Sequence, residues 1–156
     1  MSEQEAFLAR VAEKGEIRVS VRSICVHEGA LLVQRPADDP ASCYAFIGGG
    51  LETGELMEER VRQEYREELG REVVRARYLF VVENRFRTVA GTVHSLEHYF
   101  AVELDSHEVR SRERHLAQCW LPLSRLAAHD LRPHVVRDAI VDGSWETRRH
   151  LVVPFA

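Results

Sequence analysis

Residues 48–71 read GGGLETGELMEERVRQEYREELGR, and this stretch decides the fold. Gly48, Gly49 and Gly50 follow the short apolar run Tyr44-Ala45-Phe46-Ile47, and glycines at such a point allow the backbone to approach a ligand closely. From there Met57, Val61, Tyr65 and Leu69 recur every four residues on one stripe, and Gly70 supplies a stop, so a helix is expected between Glu55 and Leu69. On that helix Glu64, Glu67 and Glu68 are three and four residues apart and share a face. Like charges so close repel, and the arrangement costs stability unless a cation sits between them. Hard divalent ions such as Mg²⁺ take carboxylate oxygens. The face reads as a metal site, or, in the plainer alternative, as a solvated acidic surface.

Working outward, Phe7, Leu8 and Val11 fall at helical spacing before Gly15, which predicts an N-terminal helix over residues 3–13. Ile17, Val19 and Val21 alternate with polar residues. The run Ile24 to Val26, a turn at Glu28-Gly29 and the apolar run Ala30 to Val33 then signal a β-hairpin. Arg35 to Cys43 reads as a loop. Val73 to Val82 and Val93 to Leu104 are strand-like, with a loop between them that carries Arg85, Arg87 and Gly91. His115 to Leu121 suggests another strand and Pro133 to Val141 a second helix.

The chain has 156 residues, 45% hydrophobic and 29% charged, which fits one domain across 1–156. A chain of this length buries roughly 68–70% of its unfolded surface, so a metal here is expected to serve function rather than folding. The net charge of −4 gives no footprint for duplex nucleic acid. Lys14 apart, every Lys or Arg is Arg, the better fork for phosphate oxygens. Cys25, Cys43 and Cys119 are unpaired in spacing, the N-terminus is polar and acidic, and no apolar run reaches membrane-spanning length. A reduced cytoplasmic chain, with no membrane partner, is the expectation.

Gly49, five residues, Glu55, seven residues and then Gln63-Glu64-Tyr65-Arg66-Glu67-Glu68-Leu69-Gly70 resemble the signature of the Nudix hydrolase superfamily. With Gly and Glu each near 7%, six such fixed positions coincide by chance about once in ten million windows. The resemblance implies an α/β fold, an α/β/α sandwich on a mixed β-sheet, whose loop-helix-loop box binds Mg²⁺ or Mn²⁺. It implies hydrolysis of a nucleoside diphosphate linked to another group, a nucleotide, nucleotide sugar or ADP-ribose among them. By the same resemblance Glu64, Glu67 and Glu68 are metal ligands and catalytic residues, and the Gly48 carbonyl completes the coordination. Gly49 and Glu55 brace the loop. Family habit also implies a homodimer.

The chain departs from that signature at Gln63, where an arginine is usual, and at Tyr65 and Arg71, where aliphatic residues are usual. Gln donates hydrogen bonds but carries no charge, so weaker orientation of the carboxylates and a slower enzyme are expected at Gln63; the alternative is an inactive nucleotide-binding sensor. A general base in this family often comes from a loop outside the box. Glu97, Glu108 and Glu113 are candidates, and Glu113 is preferred because it lies in the polar stretch Asp105 to Arg114. Arg85 and Arg87 are candidates for substrate phosphate, or merely solubilise their loop.

Overall fold

The computed structural model describes residues 2–155. Helix α1 (Glu3–Lys14) is capped by Ser2, whose hydroxyl accepts from Glu5 N–H, and is stopped by Gly15 at φ +63°. The strands β1 (Arg18–Ile24), β2 (Val26–His27), β3 (Ala30–Pro36), β4 (Tyr44–Ala45) and β5 (Gly48–Gly50) follow. Then come helix α2 (Met57–Leu69), the long strands β6 (Val73–Thr88) and β7 (Gly91–Leu104), β8 (Leu116–Pro122), β9 (Leu131–Arg132), α3 (His134–Val141) and β10 (His150–Val152).

The strands form two mixed sheets. One runs β10-β6-β7-β1-β5, with β1 parallel to β7 and antiparallel to β5; the other runs β2-β3-β4-β9, with β8 also paired to β3. Ile24, Leu31, Val33, Phe46, Phe80 and Tyr99 build one core, to which α3 contributes Val136 and Ile140. Val21, Ile47, Phe100 and Val102 build the second core, which α2 closes with Val61, Tyr65 and Leu69. Three of the four residues on the predicted stripe of α2 are thus buried, and the layered α/β arrangement is the expected one.

The expected hairpin is corrected in its partners. Only Val26-His27 pairs back onto Leu31-Ala30, across a turn in which Glu28 and Gly29 both have positive φ, whereas β1 belongs to the other sheet. Alternation reports that a strand has one buried face and is silent on which strand lies beside it.

The expected loop at Arg85 and Arg87 is corrected too. Strand β6 continues to Thr88, with Arg85 opposite His94 and Arg87 opposite Thr92. Side chains alternate, so Asn84 points to one face and the two arginines to the other, where their guanidiniums stack 4.9 and 4.8 Å from the Phe155 ring centroid.

One anchor ties α2 to the glycine strand. The Tyr65 hydroxyl, buried, lies 2.7 Å from Ser23 Oγ, which also donates to the Ile47 carbonyl immediately before Gly48. Burial pushes the Tyr65 hydroxyl well above its ordinary range, so it stays a neutral hydrogen-bonding group. Tyr65→Phe removes this bond with little change of volume. Loss of about 0.5–1.5 kcal/mol of stability in urea unfolding is expected, and an unchanged midpoint would show that the bond contributes nothing.

Candidate active site

Strand β5 is the edge of its sheet, so Gly48–Gly50 pair with β1 on one side only, Gly49 opposite Val21. A Cβ on Gly49 would overlap the Glu64 carboxylate, and one on Gly48 would overlap the Val21 carbonyl. Glycine at 49 lets the Glu64 carboxylate lie directly on the strand backbone, and glycine at 48 lets β5 close tightly on β1. The loop from Leu51 to Leu56 is tied at both ends. Glu55 Oε1 accepts from Glu52 N–H at 2.8 Å, and Glu59 Oε2 accepts from Leu56 N–H at 3.1 Å.

Around this junction the helix gathers Glu64, Glu67 and Glu68. Glu68 is buried, and among the described residues its Oε2 has no hydrogen-bond partner. Burial, and then the Glu64 carboxylate beside it, push the Glu68 carboxyl up to about 9. Glu113 adds to that rise, and the Arg112 amide donates to the Glu68 carbonyl at 2.7 Å, so the Asp105–Arg114 loop docks on the end of α2 near the cluster. Glu113 itself lies 3.6 Å from His115 Nδ1.

Gln63 donates to Glu67 Oε1 at 2.9 Å. The guanidinium ion-paired with the cluster is that of Arg60, which sequence reading missed. It is buried and lies 3.4 Å from Glu55, 3.3 Å from Glu64 and 3.5 Å from Glu67. Its spacing of four and seven residues from Glu64 and Glu67 was the available signal.

A second group of polar residues faces the cluster from the sheet. Glu97, on β7 opposite Ser20, is buried; its Oε2 accepts from Asn84 Nδ2 at 2.8 Å and its Oε1 from the Tyr99 hydroxyl at 3.0 Å. Burial, and then Arg22, pull the Arg18 guanidinium below its ordinary range, while Glu97 and Glu64 both act on it in the opposite sense. Arg18 thus feels the fields of both Glu97 on the sheet and Glu64 on the helix.

A cavity of about 100 Å³ opens beside Glu97, lined by Arg22, Phe46, Asn84, Tyr99 and Arg132 among others. Arg132 is held there by Asp130, with Nε and Nη2 donating at 3.1 and 3.0 Å. A larger cavity of about 230 Å³ is lined by Cys25, His27 and His107; neither cavity has an α2 carboxylate in its wall, and the smaller one is the one that contains Glu97 and Arg22. The sites named from sequence thus divide. Gly48, Gly49, Glu55, Glu64, Glu67, Glu68 and Glu113 come together, whereas Arg85 and Arg87 lie on the face of β6 turned away from Asn84 and its partner Glu97.

The donor set suits a hard divalent cation. Among the described residues no three His, Cys, Asp or Glu side chains already converge on one point, because Glu64 and Glu67 each turn an oxygen toward Arg60. Glu67 is half exposed and held only by Gln63 and, at 3.5 Å, by Arg60, and the bare buried Oε2 of Glu68 has the oxygen chemistry that Mg²⁺ or Mn²⁺ takes. These residues fit the ion.

The NUDIX domain family profile matches residues 16–140, and the chain belongs to that family. It is a Nudix-type pyrophosphohydrolase. It is 29% identical over 124 residues to the nucleoside triphosphatase NudI of Escherichia coli, covering 73% of this chain and 88% of that protein. Among solved structures it resembles a MutT NUDIX hydrolase from Burkholderia pseudomallei, with a TM-score of 0.62 and 27% identity over 80% of this chain and 96% of that one. It also resembles the Escherichia coli ORF135 protein, with a TM-score of 0.63 and 26% identity over 81% of this chain and 90% of that one. Likeness to a MutT protein from Bacillus halodurans, at a TM-score of 0.69 and 17% identity over 87% of each chain, shows the shared fold. Among the described residues no helix is long and apolar enough to cross a membrane.

Two predictions follow from this geometry. Glu68→Gln removes a carboxyl from a crowded buried cluster without loss of volume. Its metal-free melting temperature should equal or exceed that of the native chain, and most of the rise that Mn²⁺ gives the native chain should vanish. A large fall without metal would show that Glu68 is held by partners other than a cation.

Asp130 is held down to about 2, from an ordinary 3.8, by hydrogen bonds from Arg132 first and His134 second. A depressed carboxyl stabilises the fold above its ordinary value and loses that contribution as pH falls through the folded one. The stability deficit of Asp130→Asn, read from urea midpoints, should therefore be full at neutral pH and shrink between pH 3.8 and about 2. A deficit independent of pH would contradict the pairing.

Proposed function

We propose that the chain hydrolyses a phosphoanhydride bond of a nucleoside diphosphate derivative, most directly a nucleoside triphosphate, with Mg²⁺ or Mn²⁺ held by Glu64, Glu67 and Glu68 and by the Gly48 carbonyl. The observation that carries this reading is the buried Oε2 of Glu68, without a hydrogen-bond partner among the described residues, amid a carboxylate cluster on which Arg22, a residue of the cavity wall, also acts. The name of the relative NudI, a nucleoside triphosphatase, favours the triphosphate over a nucleotide sugar or ADP-ribose.

When bound, the cation supplies the positive charge that offsets the pyrophosphate and activates water. The remaining work falls to the chain. Arg22 and Arg132 line the cavity with guanidinium donors suited to phosphate or base oxygens, and Asp130 holds Arg132 in place. Phe46 and Tyr99, edge to face at 5.4 Å, form its apolar wall. Glu113, on the loop docked at Glu68, is the proposed general base. It takes a proton as water oxygen bonds to phosphorus and the bridging oxygen departs with the bonding electron pair. Glu97 is already committed to two hydrogen bonds, which suits a positioning role better.

The test is phosphate release from a panel of nucleoside triphosphates, nucleotide sugars and ADP-ribose, with coupled pyrophosphatase or phosphatase, in Mg²⁺ and in Mn²⁺. Triphosphate turnover is expected, and Glu68→Gln should lower kcat by about three orders of magnitude or more with the fold intact. Near-native turnover in that variant would overturn the assignment. Metal-assisted nucleotide binding without turnover would identify a sensor instead.

A further inference from the structure

We propose that Arg60 is the positioning residue of the carboxylate cluster, holding Glu55 of the loop and Glu64 and Glu67 of the helix in one arrangement, the task for which Gln63 carries no charge. The inference rests on the reading of Glu64, Glu67 and Glu68 as cation ligands.

Position on the helix carries the first part of the argument. Arg60 lies one turn before Glu64 and two turns before Glu67, so at 100° per residue all three fall within about 60° of one another on the helix surface. It also lies in the first turn, next to the loop that carries Glu55. Its Nη1 faces Glu55 Oε2, its Nε faces Glu64 Oε1 and its Nη2 faces Glu67 Oε2. A single planar fork thus spans loop and helix, which an ammonium group cannot do. Gln63 reaches Glu67 alone.

Burial carries the second part. Arg60 is 8% exposed, and its Nε and Nη2 have no hydrogen bond of normal geometry; both stand from their carboxylates at 3.3 to 3.5 Å. A buried guanidinium with unmet N–H groups is costly unless the charges around it compensate. The three carboxylates provide that compensation and leave the guanidinium room to tighten. Each carboxylate has two oxygens, so Arg60 takes one from Glu64 and one from Glu67. The other oxygen of Glu64 would remain for a cation. Glu67 keeps Oε1 on Gln63 until it swings, and Glu68, which Arg60 does not touch, keeps Oε2 free.

A four-protein comparison tests this: native, Arg60→Ala, Gln63→Arg, and Arg60→Ala combined with Gln63→Arg. Steady-state kinetics on deoxynucleoside triphosphates with Mn²⁺ is paired with Mn²⁺ calorimetry and metal-free melting. Arg60→Ala should lower kcat about 10–100-fold with KM nearly unchanged. It should also lower the metal-free melting temperature, since three carboxylates lose their counter-charge, while Mn²⁺ still binds. Adding Gln63→Arg to Arg60→Ala should restore kcat to within a few-fold of native, because the new guanidinium lies one turn along on the same face. Gln63→Arg alone should bring no gain.

Should Arg60→Ala unfold, Arg60→Lys keeps the charge without the fork and should show an intermediate loss of kcat. Native kcat and melting temperature in Arg60→Ala or Arg60→Lys, with the native chain active, would overturn the role of Arg60 and leave the cation site standing. A native chain that neither binds Mn²⁺ nor turns over would overturn the cation reading and this inference with it.

Discussion

The structure turns on the mutual repulsion of carboxylates crowded onto one face of a single short helix. Glu64, Glu67 and Glu68 lie within one and a half turns of α2, and Glu68 is buried. Solvent screens an exposed cluster of this kind at little cost, but burial of one member raises the cost sharply. The surrounding sequence answers that cost with arginines. Arg60 pairs within the helix, and Arg22 acts favourably on Glu68 from the sheet. Arg18 lies within the fields of Glu97 and Glu64. Among the described residues Glu68 Oε2 is the buried carboxylate oxygen left without a hydrogen bond.

Holding that face in place is the task of the opposite face of α2. Val61, Tyr65 and Leu69 bury themselves against Val21, Ile47 and Phe100, and the bond from Tyr65 to Ser23 fixes the helix relative to β1, whose Ser23 in turn holds the Ile47 carbonyl just before Gly48. Tyrosine at 65, a departure from the aliphatic residue usual at this point of the signature, thus adds a directional contact to a purely apolar one. Arg71 departs from the usual aliphatic residue in a similar way, its Nε donating to the Glu108 carbonyl at 2.7 Å and so tying down the loop that carries Glu113.

The helix and its carboxylates were legible in the sequence because both depend on local spacing. A four-residue apolar period and a terminal glycine define α2, and charges three and four apart must share a face. Other features depend on distant partners that spacing does not encode. Strand β1 alternates in the same way whichever sheet it joins, so its separation from β3 was hidden. The segment with Arg85 and Arg87 looked like a loop because its composition is polar, yet its outer face packs on Phe155, some 70 residues away. Glu97 was only one of three candidate glutamates until Asn84 and Tyr99 were seen bonded to it. Arg60 stands four residues from Glu64, a spacing that puts it on the same face, but only the fold shows that its guanidinium also reaches Glu55 of the loop.

The central claim is that the carboxylate face of α2 holds a divalent cation which Arg60 neither replaces nor excludes. An anomalous difference map from crystals grown with Mn²⁺ tests it most directly. The account predicts a peak in coordination with Glu64 and with Glu68 Oε2, with Glu67 swung toward the ion and Arg60 still on Glu64. A fully bound chain with no peak at this face, or with the guanidinium of Arg60 occupying the ion's place, would contradict it.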